Sequence, residues 1–282
     1  MTSQEDMTTI VVKIGGGEGV DLQPLLDELP TLFASGLRIV LVHGASAAAN
    51  ALADQVGLDR RQIQSPSGHL SRYTYPAMLE IFVAAAAGRV NKTLVADLQR
   101  RGVNAVGLSG VDGRLLVAER KRAIRAVENG RQRVIRDDYS GKLREANAGL
   151  LRLLLDHGFL PVVAPVALGT QGERLNVDGD RAAAFLASAL HADALVILSN
   201  VPGLLANFPD EGSLIRQVRS DELERARRAA QGRMKRKVLA AEEALAGGVP
   251  RIILADSRRE RPLASALRGE GTVFGRSELS RQ

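Results

Sequence analysis

Two lysines far apart in the chain stand where phosphate chemistry could use them. Lys13 lies near the end of an apolar run, Thr8-Thr9-Ile10-Val11-Val12-Lys13-Ile14, and Gly15, Gly16 and Gly17 follow. A cation beside a row of open backbone N–H groups suits phosphate, because glycine lets the backbone approach the oxygens and lysine adds a point charge. The order is the reverse of a P-loop, whose lysine follows its glycines onto a helix. This is a different phosphate-handling turn, or a plain strand with one charged end. Lys237 closes Gly232-Arg233-Met234-Lys235-Arg236-Lys237 at the start of a helix. Lysine in a first helical turn opposes the dipole, a local conflict that points to a task for one of these cations; a solvated basic turn is the plainer alternative. Three further groups lie between them. His43-Gly44-Ala45-Ser46 is a strand-to-helix turn whose N–H groups would favour an anion, or a tight turn with Ser46 as helix cap. Arg72, in the polar loop Ser71-Arg72-Tyr73-Thr74, could grip a carboxylate bidentately or stay on the surface. Asn176, Asp178 and Asp180 alternate along an extended segment, and Asp180 opens a helix, where capping is its ordinary role.

Short apolar strands and helices alternate around these groups. Strands are expected over 8–14, 38–43, 104–108, 160–164, 194–198 and 251–254. Helices are expected over 21–35, 45–56, 75–101 (long or broken in two), 145–157, 180–190, 221–229 with Ser220 as cap, and 234–246. The charged, alternating stretch 111–136 reads as β-hairpins. This order predicts an α/β fold, a three-layer α/β/α sandwich on a mostly parallel sheet with hairpin insertions. It reads as one domain over 7–282, with a soft boundary near 175–190 between lobes of about 7–185 and 186–282. The candidate residues fall at strand ends and helix starts, where open α/β sheets bind ligands.

The chain has 282 residues, 45% hydrophobic but only 3% aromatic, so aliphatic side chains and alanine must fill the core. There is no cysteine, which excludes disulfides and thiolate metal sites and fits a reducing compartment. The first residues are polar and acidic, unlike a signal peptide, and no apolar run approaches the ~18 residues of a membrane span. A cytoplasmic protein with no membrane partner is expected. The net charge of +6 favours acidic partners such as nucleotides, acidic proteins or nucleic acid. Stacking aromatics and nucleic-acid motifs are not evident, so no nucleic-acid partner is expected.

Taken in order, Lys13-Ile14-Gly15-Gly16, His43-Gly44-Ala45, Asn176-Val177-Asp178-Gly179-Asp180 and Gly232-Arg233-Met234-Lys235-Arg236-Lys237 resemble the amino acid kinase family over residues 9–275, with Leu198-Ser199-Asn200-Val201-Pro202-Gly203-Leu204-Leu205 similar to its nucleotide-site strand and loop. Within the acetylglutamate kinase branch, Ser65-Pro66-Ser67-Gly68, Ser71 to Thr74, Gly107 to Gly113 and Arg136 to Lys142 resemble the group acting on 2-aminoadipate attached to an amino-group carrier protein. The resemblance implies an ATP-dependent transfer to the side-chain carboxylate of carrier-bound 2-aminoadipate, giving an acyl phosphate for lysine synthesis; some members act on carrier-bound glutamate for arginine synthesis. It implies catalytic roles for Lys13, Lys237 and Asp180. Gly44, Ala45, Arg72 and Asn176 would bind the acid substrate. Gly15, Gly16, Asn200, Gly203 and Met234 would bind nucleotide. Mg2+ would arrive on ATP without a protein metal site. An acidic carrier as partner and a homodimer are also implied, with the basic stretches Arg120 to Arg125 and Arg131 to Arg136 as the carrier's landing surface. Two departures stand out. Ala45 and Ser46 replace frequent glycines, and a methyl at 45 would narrow the anion site. Asn200 stands where the branch often has Asp. Alternatives are an acetylglutamate kinase acting on the free N-acetylated acid, and a non-catalytic nucleotide- or nucleic-acid-binding regulator.

Overall fold

The computed structural model describes residues 8–65, 70–128 and 131–275. In chain order, β1 (Thr9–Ile14), α1 (Gln23–Ala34), β2 (Arg38–His43) and α2 (Ser46–Gln55) precede a short hairpin, β3 (Gln62–Gln64) and β4 (Leu70–Arg72). Helices α3 (Pro76–Val83) and α4 (Asn91–Arg100) are joined by a π-helical stretch, Ala84–Val90, so the expected long helix is continuous. Then come β5 (Ala105–Gly110), β6 (Leu116–Arg120), the hairpin β7 (Ile124–Glu128) and β8 (Arg131–Ile135), β9 (Gly141–Ala146), α5 (Ala148–Asp156), β10 (Leu160–Gly169) and β11 (Arg174–Asn176). The last third holds α6 (Gly179–Leu190), β12 (Ala194–Ser199), β13 (Gln217–Val218), α7 (Leu223–Ala229), α8 (Met234–Ala246), β14 (Arg251–Asp256), α9 (Pro262–Leu267) and β15 (Thr272–Gly275).

One sheet runs β13-β15-β14-β12-β1-β2-β10-β6-β9, with β5 and β11 also paired to β10. Its centre is parallel, and β14–β15, β10–β11 and β6–β9 are antiparallel. The alternation of side chains along a strand divides the core between the two faces. Ile10, Val12 and Ile14 of β1 face one cluster with Leu25 and Leu29 of α1, Leu94 of α4 and Leu263 of α9. Val11, with Val40 and Val42 of β2, faces the other, with Leu186 of α6 and Val238 of α8. Lys13 shares the parity of Val11, so the pleat sends its side chain to the α6/α8 face. Small alanines at 182, 183, 240, 241 and 244 let those two helices pack closely on each other and on the sheet.

A separate antiparallel sheet, β4-β3-β7-β8, carries much of the expected hairpin region. The first part of that region differs from the expectation: residues 116–120 join the central sheet as β6, because Leu116, Val117 and Ala118 have apolar core to bury. Arg72 is the last residue of strand β4 and does not lie in a loop. Ser220 begins a 3-10 turn and does not cap α7; the Glu222 carboxylate accepts from the Arg219 N–H instead. The motif residues Pro66, Ser67 and Gly68 lie outside the described residues.

Candidate active site

Lys13, on β1, and Lys237, in the first turn of α8, meet on one carboxylate. Lys13 Nζ lies 2.7 Å from Asp180 Oδ1, and Lys237 Nζ lies 3.3 Å from each Asp180 oxygen. Each of the three residues is less than a tenth exposed. Burial alone would raise the Asp180 pKa; the two ammonium groups reverse this and hold the carboxyl well below its usual range. Burial pushes the Lys237 pKa down, with Asp180 opposing. Two buried cations share one buried anion, which leaves a net positive charge out of water. Such a group is costly unless a further anion completes it. The site is therefore suited to an anionic ligand.

Helix α6 delivers Asp180 because a neighbour does the capping. Asp178 is the N-cap, its Oδ1 accepting from the Asp180 and Arg181 N–H groups at 3.0 and 3.1 Å. Asp180, in the first turn, is thus free of that duty and turns to the lysines. Arg236 Nη1 lies 3.4 Å from Asp178, and Arg181 forms a two-pronged pair with Glu243. The first pair ties the start of α8, and the second its last turn, to the start of α6.

The two glycine turns touch. A β-carbon on Gly16 would lie 2.0–2.3 Å from the Gly44 carbonyl and the Ala45 nitrogen, so only glycine fits. The Gly16 carbonyl accepts from the Ala47 N–H at 2.7 Å and from the Ser46 hydroxyl at 2.9 Å. Ser46 therefore ties one turn to the other, and Ala45 takes the cap position. The Ala45 methyl is buried in a cluster with Ala49, Met78 and Phe82. Behind the turn, His43 is buried. Its Nε2 lies 3.2 Å from Asn91 Nδ2, an arrangement in which the amide donates to a neutral ring. Burial is the main reason the His43 pKa falls to about 4, with Lys13 acting in the same direction.

Arg72 stands over the start of α2. Its Nη2 donates to the Ser46 carbonyl at 3.2 Å and to Asn50 Oδ1 at 2.6 Å. Desolvation, then Arg60, lowers its pKa. Among the described residues no carboxylate pairs with it, so this half-buried guanidinium can still take one from a ligand. Asn176, at the end of β11, donates from Nδ2 to Thr74 Oγ1 at 2.9 Å, which leaves its Oδ1 as an acceptor for an amide N–H.

Three residues with no assigned role in the sequence analysis hold this wall together. Asp138 is fully buried and accepts from the Thr74 N–H at 2.9 Å, the Ser140 N–H at 2.8 Å and the Ser140 hydroxyl. Ser140 bridges to Asn176. Thr74 and the 138–140 segment lay within motif stretches, but nothing local marked them as partners 64 residues apart. The chain's three tyrosines gather here: Tyr73 and Tyr75 pack together under Arg61, and Arg120 stacks on Tyr139 at 3.6 Å.

The nucleotide candidates are spread more widely. Gly15 and Gly16 adjoin Lys13. Met234 is half-buried against the α6/α8 cluster. Asn200 is exposed beyond β12. Gly203 is buried at φ +159°, where a β-carbon would strike Thr272 at 2.6 Å. For magnesium, the donor set is informative: Asp180 is taken by two ammonium groups, and Asp178 by helix N–H groups and Arg236. Neither carboxylate is free to hold an ion, and no cluster of three metal-ligating side chains occurs among the described residues.

Comparison with known proteins adds independent findings. A family model described as the amino acid kinase family matches residues 8–256. A Thermus thermophilus protein named LysW-aminoadipate kinase is 50% identical over 266 residues, covering 94% of this chain and 99% of that relative. A Deinococcus radiodurans protein of the same name is 49% identical over 264 residues, covering 94% and 90%. The N-acetylglutamate synthase of Neisseria gonorrhoeae, complexed with coenzyme A and N-acetyl-glutamate, matches with a TM-score of 0.74 and 28% identity over 95% of this chain and 59% of that one.

Proposed function

Because the chain belongs to the amino acid kinase family, we propose that it phosphorylates the side-chain carboxylate of 2-aminoadipate held on an acidic amino-group carrier protein. The observation that carries this is the convergence of Lys13 and Lys237 on Asp180. A carboxylate oxygen attacks the γ-phosphorus of ATP, the bond from that phosphorus to the β–γ bridging oxygen breaks, and ADP leaves with the electron pair. Attacker and target are both anionic, so the work is alignment and charge neutralisation. Lys13 neutralises the phosphoryl group in flight, Lys237 the charge that builds on ADP, and Asp180 spaces the two cations and opposes the loss of the Lys237 proton that burial favours. The nucleophile is already ionised at neutral pH and needs no base. Magnesium, carried on ATP, would supply further neutralisation of the phosphates.

Arg72 takes the substrate's α-carboxylate, and Asn176 Oδ1 accepts from the amide N–H formed where the α-amino group joins the carrier. Of the two turn residues between them, Ala45 offers its backbone N–H, whereas the Gly44 N–H is already donated to the Ile14 carbonyl at 3.0 Å, so Gly44 contributes close backbone approach and not a donor. The acid is held by the N-lobe, about 7–185, and nucleotide by the C-lobe, about 186–282, with Asn200, Gly203 and Met234 on its side of the cleft. The arginine-rich β3/β4/β7/β8 sheet would receive the carrier. Its base reaches the cleft: the Lys121 ammonium feels Arg181, Asp138, Asp178 and Arg236, and desolvation lowers its pKa. Names of relatives support aminoadipate; glutamate, one methylene shorter, differs by only ~1–3 kcal/mol in a fitted pocket.

Trapping the acyl phosphate with hydroxylamine tests the proposal. Carrier-bound aminoadipate with ATP should yield hydroxamate and ADP, and Lys237→Met should cut the rate on the order of 100-fold or more. Turnover of free N-acetylglutamate but not of the carrier form would make it an acetylglutamate kinase instead.

A further inference from the structure

One cation at the cleft is unused by this mechanism. Arg233 is exposed and stands between Gly232, which bends the chain at φ +51°, and the first residue of α8. Its guanidinium reaches away from its own helix. Nη1 lies 2.9 Å from the point where a β-carbon would sit on Gly17, in the glycine turn that follows Lys13. The Ser46 hydroxyl, at the start of α2, is 4.0 Å from the same point. Arg233 thus connects the two elements that supply Lys13 and Lys237, on the outer side of the glycine turn.

Four nearby cations have acids. Lys13 and Lys237 share Asp180, Arg236 has Asp178 and Arg181 has Glu243. Among the described residues Arg233 pairs with no carboxylate. An extended guanidinium with five donors, laid on glycine backbone, is a fork shaped for oxyanions. Lys13 and Lys237 already face the migrating phosphorus, so oxygens further along the same polyphosphate are the ones Arg233 would meet.

We propose that Arg233 is a nucleotide ligand that binds the polyphosphate of ATP and ADP and draws the start of α8 onto the Gly15–Gly17 turn. This rests on the kinase reading above, and the test separates the two. Calorimetric titration of ATP, ADP and AMP into the wild-type chain, Arg233→Gln and Arg233→Lys, in magnesium, is the measurement. Arg233→Gln should bind ATP and ADP about tenfold more weakly and AMP as wild type does, with an unchanged melting temperature because no internal partner is lost; Arg233→Lys should recover part of the affinity. The KM for the carboxylate substrate should stay constant. Wild-type affinity for ATP and ADP in Arg233→Gln, equal weakening of AMP, or a rise confined to the carboxylate substrate's KM would each overturn the proposal while leaving the kinase reading intact. A wild-type chain that bound no ATP would overturn both.

Discussion

At the scale of single residues, the site is governed by the imbalance of two cations against one anion. Asp180 raises the Lys237 pKa against burial, so removing it should lower that pKa further. A lysine with a depressed pKa loses its proton at lower pH, and the alkaline limb of activity moves with it. Asp180→Asn should therefore shift the alkaline limb of kcat/KM to lower pH, besides slowing turnover, in a pH–rate profile followed by ADP release. A limb that stayed in place would show that Lys237 does not need this carboxylate. His43 gives a stability signature. Its folded pKa of about 4 lies below its ordinary 6.5, so the unfolded chain takes up a proton first as pH falls. Stability from this residue is complete above about pH 6.5 and is lost as pH drops towards 4, by about 3 kcal/mol at most. Urea unfolding at pH 7.5 and 4.5 should show that loss reduced in His43→Gln, in which position 43 no longer titrates. Equal losses in both proteins would rule out His43 as the source. The lysines, Asp180, Arg72 and Asn176 could be singled out from residue type and spacing. Asp138 could not, because a buried carboxylate that only accepts hydrogen bonds looks in sequence like any surface aspartate.

At the scale of elements, the cleft depends on β1 and β2 ending together. They are parallel neighbours, with Lys13 beside Val42 and Ile14 beside His43, so their turns emerge side by side. Gly16 closes the gap, and Gly16→Ala must push the turns apart. It should cost about 2 kcal/mol or more in denaturant unfolding and raise KM for ATP. Gly17→Ala meets only the movable tip of Arg233 and should cost much less. Similar stability losses in the two variants would refute this packing account. Strand and helix order was legible because period-2 and period-3.6 patterns are local. The hairpin stretch misled because β6 belongs to the central sheet: an alternating strand reads the same whether its neighbour is a hairpin partner or a distant strand. The placement of Arg72 on β4 was hidden for a similar reason, since three residues are too few to show a period.

At the scale of the whole molecule, positive charge is gathered on the hairpin sheet beside the cleft, the surface proposed to receive the carrier. Arg122 and Arg125 project from the β7/β8 region, with Lys121 at its base beside the cleft. Steering between separated charges weakens as salt shortens the Debye length from ~10 Å at 0.1 M towards 3 Å at 1 M. Raising salt should therefore depress kcat/KM for carrier-bound substrate more than for a small N-acylated aminoadipate; equal sensitivity would remove this sheet from the docking surface. The sequence by itself determined the alternation of strands and helices, the apolar parity of each strand, and the residue types able to handle phosphate and carboxylate, because these depend on neighbours in the chain. The tertiary structure alone decided that Lys13 and Lys237 share Asp180, that Thr74 is held by Asp138, and that Arg233 reaches Gly17. Those contacts join segments separated by tens to hundreds of residues: the packing of α6 and α8 on one face of the sheet brings Lys237 and Asp180 to Lys13 and Arg233 to Gly17, while the segment before β9 folds back beside β4 to reach Thr74.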